Sequence, residues 1–156
     1  MTALSHQTLI VLAGCPFTGK TVIGDTLREI LSIPFLAVDR FRPLIFGKTI
    51  TYKDDPFFDN YQLKKAYPAM FSATAALLKL GDSVIIKGTF LKKSYQINIG
   101  RLIKSCPRVF LKMIALELPD EKADELVKKR VSARIVKGVF FRSRNFRGLL
   151  AGKENF

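Results

Sequence analysis

The hydrophobic positions of the chain fall into two patterns that alternate along the sequence. Four apolar runs have the length of buried strands, and they lie at residues 9–13, 35–38, 83–86 and 109–118. Between them, apolar residues recur with helical spacing over residues 22–31, 63–78 and 94–105. Strands that alternate with helices predict a three-layer α/β fold, with a mostly parallel sheet and helices on both faces.

Three further segments need separate treatment. Residues 43–60 show no regular period, and we expect an irregular segment there. Pro119-Asp120-Glu121 is a typical helix start, because proline and acidic residues are favoured in the first helical turn. The tail, Gly138–Phe156, has no good periodic pattern, so it could be partly disordered or become ordered only when a ligand binds.

The first apolar run leads into a complete phosphate-loop motif of the Walker A type. Residues 14–21 match G-x-x-x-x-G-K-[ST] between a predicted strand and a predicted helix, which is the context that this motif requires. Glycines let backbone N–H groups point inward at a phosphate, and the helix N-terminus adds partial positive charge. Lys20 would reach the β- and γ-phosphates, and the Thr21 hydroxyl would ligand Mg²⁺. The predicted nucleotide-binding residues are Gly14, Cys15, Pro16, Phe17, Thr18, Gly19, Lys20 and Thr21.

A candidate catalytic carboxylate stands at the end of the second predicted strand. Asp39 follows residues 35–38, and in open α/β sheets ligands bind outside the carboxyl ends of the strands. Asp39 could therefore take the proton from a substrate hydroxyl as that hydroxyl attacks the γ-phosphate. A capping or salt-bridged aspartate at this turn is an equally good interpretation of the spacing alone.

The third predicted strand ends in a lysine where a P-loop enzyme would carry an acid. A Walker B element places an aspartate after such an apolar run, where it holds Mg²⁺ through water. Here Lys87 follows residues 83–86. An ammonium group cannot ligand a cation, so this position argues against the usual handling of magnesium.

Aromatic and acidic residues interleave in the segment expected to be irregular and just beyond it. The aromatic residues are Phe46, Tyr52, Phe57, Phe58 and Tyr61, and the acidic ones are Asp54, Asp55 and Asp59. This could be a substrate-recognition insert, although such aromatic residues more often anchor a loop to the core.

Length and cysteine content point to an ordinary globular domain. The 156 residues suffice for one domain with a real core. No apolar run approaches the ~20 residues that would span a membrane. Cys15 lies inside the phosphate loop, where a disulfide would block ligand access, so a reducing cytoplasm fits the chain best.

Charge is the outlier of the composition. The net charge is +13, and residues 126–153 carry nine basic side chains and no acidic one. Such a segment attracts polyanions, whether nucleotides, phosphorylated substrates or nucleic acid, although a solvated basic face is the simpler interpretation. Arg130 and Arg134 lie four residues apart, one turn of the predicted helix, so both could face one anion.

Taken together, these motifs resemble the kinase branch of the P-loop NTPases. The nearest likeness is to the AAA-domain kinase-like group that includes polynucleotide kinase, zeta toxin, chloramphenicol phosphotransferase and gluconate kinase. In that group the loop often reads G-x-P-x-x-G-K-[ST], as residues 14–21 do. Asp39 matches the group's aspartate at the end of the second strand, and Arg130 and Arg134 resemble its lid arginines.

The resemblance implies a kinase that transfers the γ-phosphate of ATP, with Mg²⁺, to a hydroxyl of a small molecule or a nucleic-acid end. It implies that Asp39 is the base toward the acceptor and that Arg130 and Arg134 bind the charge of the transition state. We expect a single domain over 1–156, with a lid and basic tail over about 130–156. The group also has a fifth strand, which the pattern of this tail does not predict.

A second function class remains open on the sequence. Lys87 and the acid-free segment 126–153 would also suit a catalytically degenerate P-loop domain that binds nucleotide, nucleic acid or a phosphorylated partner through its basic face. A GTPase switch is disfavoured, because the chain has no N-K-x-D motif and no D-x-x-G after the third predicted strand.

Overall fold

The computed structural model of the protein describes residues 4–16, 18–48 and 54–117. Four strands and four helices follow one another: β1 Thr8–Gly14, α1 Lys20–Leu31, β2 Phe35–Ala37, α2 Val38–Phe46, α3 Pro56–Lys79, β3 Val84–Lys87, α4 Lys93–Ser105 and β4 Phe110–Leu116. β1, β3 and α4 agree with the prediction to within one residue at each end. The helix predicted from Pro119, the arginine pair and the tail lie outside the described residues.

The four strands form one parallel sheet in the order β2-β3-β1-β4. β1 lies between β3 and β4, and every one of its seven residues is buried. The register sets Leu12 of β1 and Ala37 of β2 both opposite Lys87 of β3. β2 and β3 therefore end level with each other, whereas β1 continues for two more residues to Gly14, and the residues that follow the three strands lie at the same edge of the sheet.

Side chains of β1 alternate between two hydrophobic clusters, one on each face of the sheet. Leu9, Val11 and Ala13 belong to the larger cluster, to which helices α3 and α4 contribute. Ile10 and Leu12 belong to the smaller cluster, against which α1 packs. Helices on both faces of a parallel sheet confirm the predicted three-layer α/β fold.

The structure corrects the prediction for residues 38–60. β2 ends at Ala37, Val38 begins the nine-residue helix α2, and α3 begins at Pro56. Asp55 is the N-cap of α3, since its carboxylate accepts a hydrogen bond from the N–H of Phe58 at 3.0 Å. Residues 43–46 and 56–60 of the expected irregular segment are therefore helical, while residues 49–53 lie outside the described part.

Hydrophobic periodicity missed α2 because the interface between α2 and α3 is polar. Arg42 and Gln62 are both buried, and the guanidinium donates to the Gln62 side-chain oxygen from Nε at 3.1 Å and from Nη2 at 3.0 Å. Nη2 of Arg42 also lies 2.6 Å from the Asp59 carboxylate. A buried arginine interrupts the apolar face of this short helix, and Pro43 within it argues against a helix, so the sequence pattern did not indicate α2.

The aromatic residues of this region bind its helices to each other. The rings of Phe46, Phe58 and Tyr61 form a cluster with centroids 5.7–6.1 Å apart. This arrangement fits the anchoring interpretation for these three residues. Phe57 is 80% exposed, and Tyr52 lies outside the described residues.

Within the part of the chain that the structure describes, no helix is both long enough and apolar enough to cross a membrane.

Replacement of Gly24 by alanine should destabilise the protein. The added methyl group would lie 2.3 Å from the buried ring of Phe35, so α1 or β2 would have to shift. We expect the free energy of unfolding to fall by about 1–3 kcal/mol, although alanine is the better helix former. Gly100→Ala in α4 is the matched control, because its methyl group would meet no described atom within 4 Å, and it should stabilise by up to about 1 kcal/mol. Urea denaturation measures both, and equal effects would contradict the close packing of α1 on β2.

Candidate nucleotide-binding site

The phosphate-loop residues lie at the crevice where the sheet reverses its winding. From β1 the chain passes to β2 at one edge of the sheet, and from β3 it passes back to β4 at the opposite edge. Because β1 and β3 are neighbours, a crevice opens between their carboxyl ends, the position at which open α/β sheets bind ligands. The loop after β1, Lys87 at the end of β3 and Asp39 just beyond β2 all lie at this edge.

Two glycines give the loop its shape. Gly14 has φ +138°, and a Cβ there would lie 2.2 Å from the carbonyl oxygen of Leu116 on β4, so both conformation and space require glycine. Gly19 has φ +83° and is the N-cap of α1. The first N–H groups of α1 lack acceptors within the helix and are suited to bind phosphate oxygens. The structure thus places the predicted residues 14–16 and 18–21 between β1 and the first turn of α1, whereas Phe17 lies outside the described residues.

The Lys20 side chain is turned back onto the loop. It is only 6% exposed, and its ammonium donates to the Cys15 carbonyl oxygen and to Thr18 Oγ1, the latter at 3.1 Å. The Thr18 hydroxyl donates to the same carbonyl at 3.0 Å. The pKa of Lys20 is lowered from 10.5 to about 8, mainly by burial and next by the nearby charge of Lys87, while Cys15 and Asp39 oppose the shift. Binding of an anion would relieve this unfavourable burial of charge.

Lys87 contacts two of the predicted site residues, Thr21 and Asp39. Its ammonium lies 3.0 Å from Thr21 Oγ1 and 3.1 Å from Asp39 Oδ2. The Lys87 side chain is 12% exposed and the Asp39 side chain 60% exposed, so the lysine is enclosed and the carboxylate faces the crevice opening. The sequence marked Lys87 only as a departure from the Walker B pattern; its contacts across three elements could not be read from the sequence.

Asp39 lies in the first turn of α2 rather than at the end of β2. An acidic residue in the first turn of a helix is favoured by the helix dipole. Its ion pair with Lys87 agrees with the salt-bridge interpretation of this residue, and its role as a base remains a prediction.

The donor groups do not fit an ordinary magnesium site. Magnesium in such sites is held by one or two carboxylates together with substrate phosphates. Here the Thr21 hydroxyl and the Asp39 carboxylate both contact the Lys87 ammonium, which lies where the cation would need to be. Among the residues that the structure describes, no group of three or more histidine, cysteine, aspartate or glutamate residues could hold a metal ion.

Tyr67 holds the segment that follows β3. Its hydroxyl accepts the backbone N–H groups of Thr89 at 3.0 Å and Phe90 at 3.3 Å, and it lies 3.2 Å from Thr89 Oγ1. Phe90 has φ +48°, an unusual value for a residue with a side chain, and these bonds help to hold it there. The Tyr67 ring stacks on Tyr95 at 3.7 Å. Sequence reasoning placed Tyr67 only on the apolar face of a helix, because periodicity carries no information about its hydroxyl.

A parallel sheet with a glycine-shaped phosphate loop and an enclosed lysine defines a P-loop protein of the kinase-like class. The chain belongs to the chloramphenicol phosphotransferase-like protein family, whose sequence profile matches residues 7–130. No curated protein sequence matches the chain.

Solved structures show the same fold at low sequence identity. A candidate kinase from Chloroflexus aurantiacus J-10-fl is 22% identical with a TM-score of 0.71, and the match covers 82% of this chain and 69% of that one. A chain of the Pnkp1/Rnl/Hen1 RNA repair complex is 19% identical with a TM-score of 0.63, and the match covers 94% of this chain but only 43% of that one. The Mycobacterium tuberculosis APS kinase in complex with AMPPNP and APS is 11% identical with a TM-score of 0.62, over 83% and 73% of the two chains.

Tyr67→Phe should destabilise the protein by about 1–3 kcal/mol, because two backbone N–H groups would lose their acceptor in the interior. Tyr61→Phe is the matched control on the same helix, since Tyr61 is 42% exposed, and its effect should stay within about 0.5 kcal/mol. Chemical denaturation measures both variants. Equal stabilities would show that the Tyr67 hydroxyl does not hold the segment after β3.

Lys20→Met should change the pH dependence of stability. Between pH 8 and 10.5 the unfolded chain binds more protons at Lys20 than the native protein does, so native stability rises with pH across this window. The methionine variant lacks that contribution. Its stability advantage, on the order of 1 kcal/mol after allowance for solvent screening, should be largest below pH 8 and shrink toward pH 10.5.

Denaturation of both proteins at the two ends of this window provides the measurement, with the exposed Lys79→Met as baseline. A stability difference that does not change with pH would contradict the lowered pKa of Lys20.

Proposed function

We propose that the protein is an ATP-dependent phosphotransferase that transfers the γ-phosphate to a hydroxyl group of a small molecule or of a nucleic-acid end. Membership of a phosphotransferase-like family supports this class of reaction. The observation that carries the proposal is that Asp39 and Thr21 both contact the Lys87 ammonium beside the phosphate loop. A carboxylate exposed beside a phosphate site is suited to act on an incoming hydroxyl.

The phosphate loop binds the phosphates of ATP in this proposal. Lys20 leaves its contacts with Cys15 and Thr18 and binds the β- and γ-phosphates, while the N–H groups of the loop and of the first turn of α1 bind phosphate oxygens. Positioning and electrostatic stabilisation of this kind supply most of the catalysis in phosphoryl transfer.

Asp39 acts on the acceptor. It accepts the proton of the acceptor hydroxyl as that oxygen forms its bond to the γ-phosphorus; the bond from the γ-phosphorus to the β–γ bridging oxygen breaks, and ADP leaves with the electron pair. Asp39 must part from Lys87 to do so. Arg130 and Arg134, beyond the described residues, bind the transition-state charge in this proposal, as the family resemblance implies. Magnesium has no assigned place in it, because the donor groups do not fit the ion.

A non-catalytic nucleotide-binding domain is the second candidate function. Lys87 favours it, because the lysine stands where the magnesium-binding acid of a P-loop enzyme would stand and neutralises the candidate base. The two candidates differ in a single measurable property, which is turnover.

Asp39→Asn should lower the rate of γ-phosphate transfer about 10²- to 10⁴-fold, because the acceptor hydroxyl loses its base. Affinity for ATP should not fall, since the carboxylate acts on the acceptor. Transfer of labelled phosphate from ATP to a panel of small hydroxyl compounds and to RNA and DNA ends is the measurement, with and without Mg²⁺.

Asp25→Asn is the matched control, because Asp25 is an exposed aspartate on α1 that pairs only loosely with Arg40, at 3.3 Å. Full activity of Asp39→Asn would refute the base assignment. ATP binding by the native chain without transfer to any acceptor of the panel would favour the non-catalytic candidate.

A further inference from the structure

We infer that the Lys87 ammonium takes the place of the metal ion, so that this protein binds the polyphosphate of a nucleotide without magnesium. The inference rests on the nucleotide binding of the proposed function. It adds that the form of ATP that binds is free ATP⁴⁻ and not the magnesium complex. It follows because the groups at this site do not fit Mg²⁺, the ion that P-loop kinases ordinarily bind together with the nucleotide.

The position of the ammonium is the first argument. In P-loop proteins the hydroxyl that corresponds to Thr21 ligands a cation that also contacts the β- and γ-phosphates. Here that hydroxyl accepts a hydrogen bond from Lys87 at 3.0 Å. A positive charge bound to Thr21 therefore lies beside the phosphate position already, and it belongs to the protein.

The rigidity of Lys87 is the second argument. It is the last residue of β3, and its backbone is set in the sheet opposite Leu12 on one side and Ala37 on the other. The side chain is only 12% exposed and has its head group on two partners from different helices. An ammonium fixed in this way does not pay the ordering entropy that a mobile surface lysine would pay on binding.

Charge balance is the third argument. A magnesium ion close to Thr21 would meet the like charge of Lys87, and the nearest carboxylate, Asp39, is paired with that same lysine. A triphosphate without metal instead meets two lysines, Lys20 from α1 and Lys87 from β3, at the N-terminus of a helix. An ammonium has three N–H donors, and two of those on Lys87 are directed at Thr21 and Asp39, so the third can reach a phosphate oxygen.

Binding of a polyphosphate would also release Asp39. Phosphate oxygens compete with the carboxylate for the Lys87 ammonium, and they carry more charge than the carboxylate does. The candidate base would then be free to face the acceptor only when the nucleotide is in place. Lys87 would thus link the occupancy of the phosphate loop to the state of Asp39.

The test is calorimetric titration of the full chain with ATP, once in EDTA and once in excess Mg²⁺, at physiological ionic strength. The native protein should bind ATP in EDTA at least as tightly as in Mg²⁺. Lys87→Met should lose about 10- to 100-fold of the affinity in EDTA, the worth of a charge-assisted hydrogen bond. Lys87→Asp should bind weakly in EDTA and at least tenfold more tightly in Mg²⁺, because the acid restores a ligand for the ion.

Three controls separate this effect from general attraction to a chain of net charge +13. Lys79→Met removes an exposed lysine from the last turn of α3, which leads into the start of β3 at the opposite end of the sheet, and affinity should not change. Lys87→Arg keeps the charge and should retain most of the metal-free affinity. Inorganic tripolyphosphate in EDTA should compete with ATP, since the inference concerns the phosphates alone. Circular dichroism of each variant verifies that it is folded.

The outcomes distinguish the inference from the proposed function. If Mg²⁺ strengthens ATP binding by the native chain tenfold or more, the inference is wrong and the proposed function stands. If Lys87→Met binds ATP in EDTA as tightly as the native chain, Lys87 does not contact the phosphates and the inference is wrong. If the native chain binds ATP in neither condition, the proposed function fails and the inference fails with it.

Discussion

The parallel pairing of β1 with β3 is the constraint on which the site depends. It sets Leu12 opposite Lys87, so that the loop after β1 and the last residue of β3 lie at the same edge of the sheet. β2 pairs with the other side of β3 and brings Ala37, and with it the start of α2, to the same edge. Since β1 is buried on both faces, a one-residue slip of its register would move every side chain to the opposite face, out of the hydrophobic cluster into which it packs. The hydrophobic core therefore fixes the geometry of the charged site.

The two cations of the site, Lys20 and Lys87, are held by polar groups of the protein. Lys20 is turned back onto the phosphate loop and Lys87 contacts Thr21, and the charge of the exposed Asp39 acts on both lysines. The Cys15 carbonyl oxygen and the Thr18 hydroxyl accept hydrogen bonds from Lys20, and Asp39 forms an ion pair with Lys87. Each of these contacts is made by a group that a phosphate could replace. The protein thus holds both cations in place, although burial of the Lys20 charge is unfavourable.

A polar contact between helices positions Asp39. Arg42 lies one turn after Asp39 on α2 and is held by Gln62 and Asp59 of α3. Buried arginines are costly unless their donors are satisfied, and here a carboxylate and an amide oxygen accept from the guanidinium. This arrangement sets the rotation of α2 on α3, and with it the direction in which the first turn of α2 presents its carboxylate.

The α/β class and the phosphate-loop motif could be predicted from the sequence alone, because strand and helix periods and the glycine pattern are local properties of the chain. It did not indicate α2 or the early start of α3, since the contact between these two helices includes the buried polar residues Arg42 and Gln62 and Pro43 lies inside α2. Nor could it predict the role of Lys87. Thr21, Asp39 and Lys87 lie far apart in the chain, and only the order β2-β3-β1 brings their side chains together. Sequence sets what each residue can do, whereas pairing between distant strands decides which of them meet.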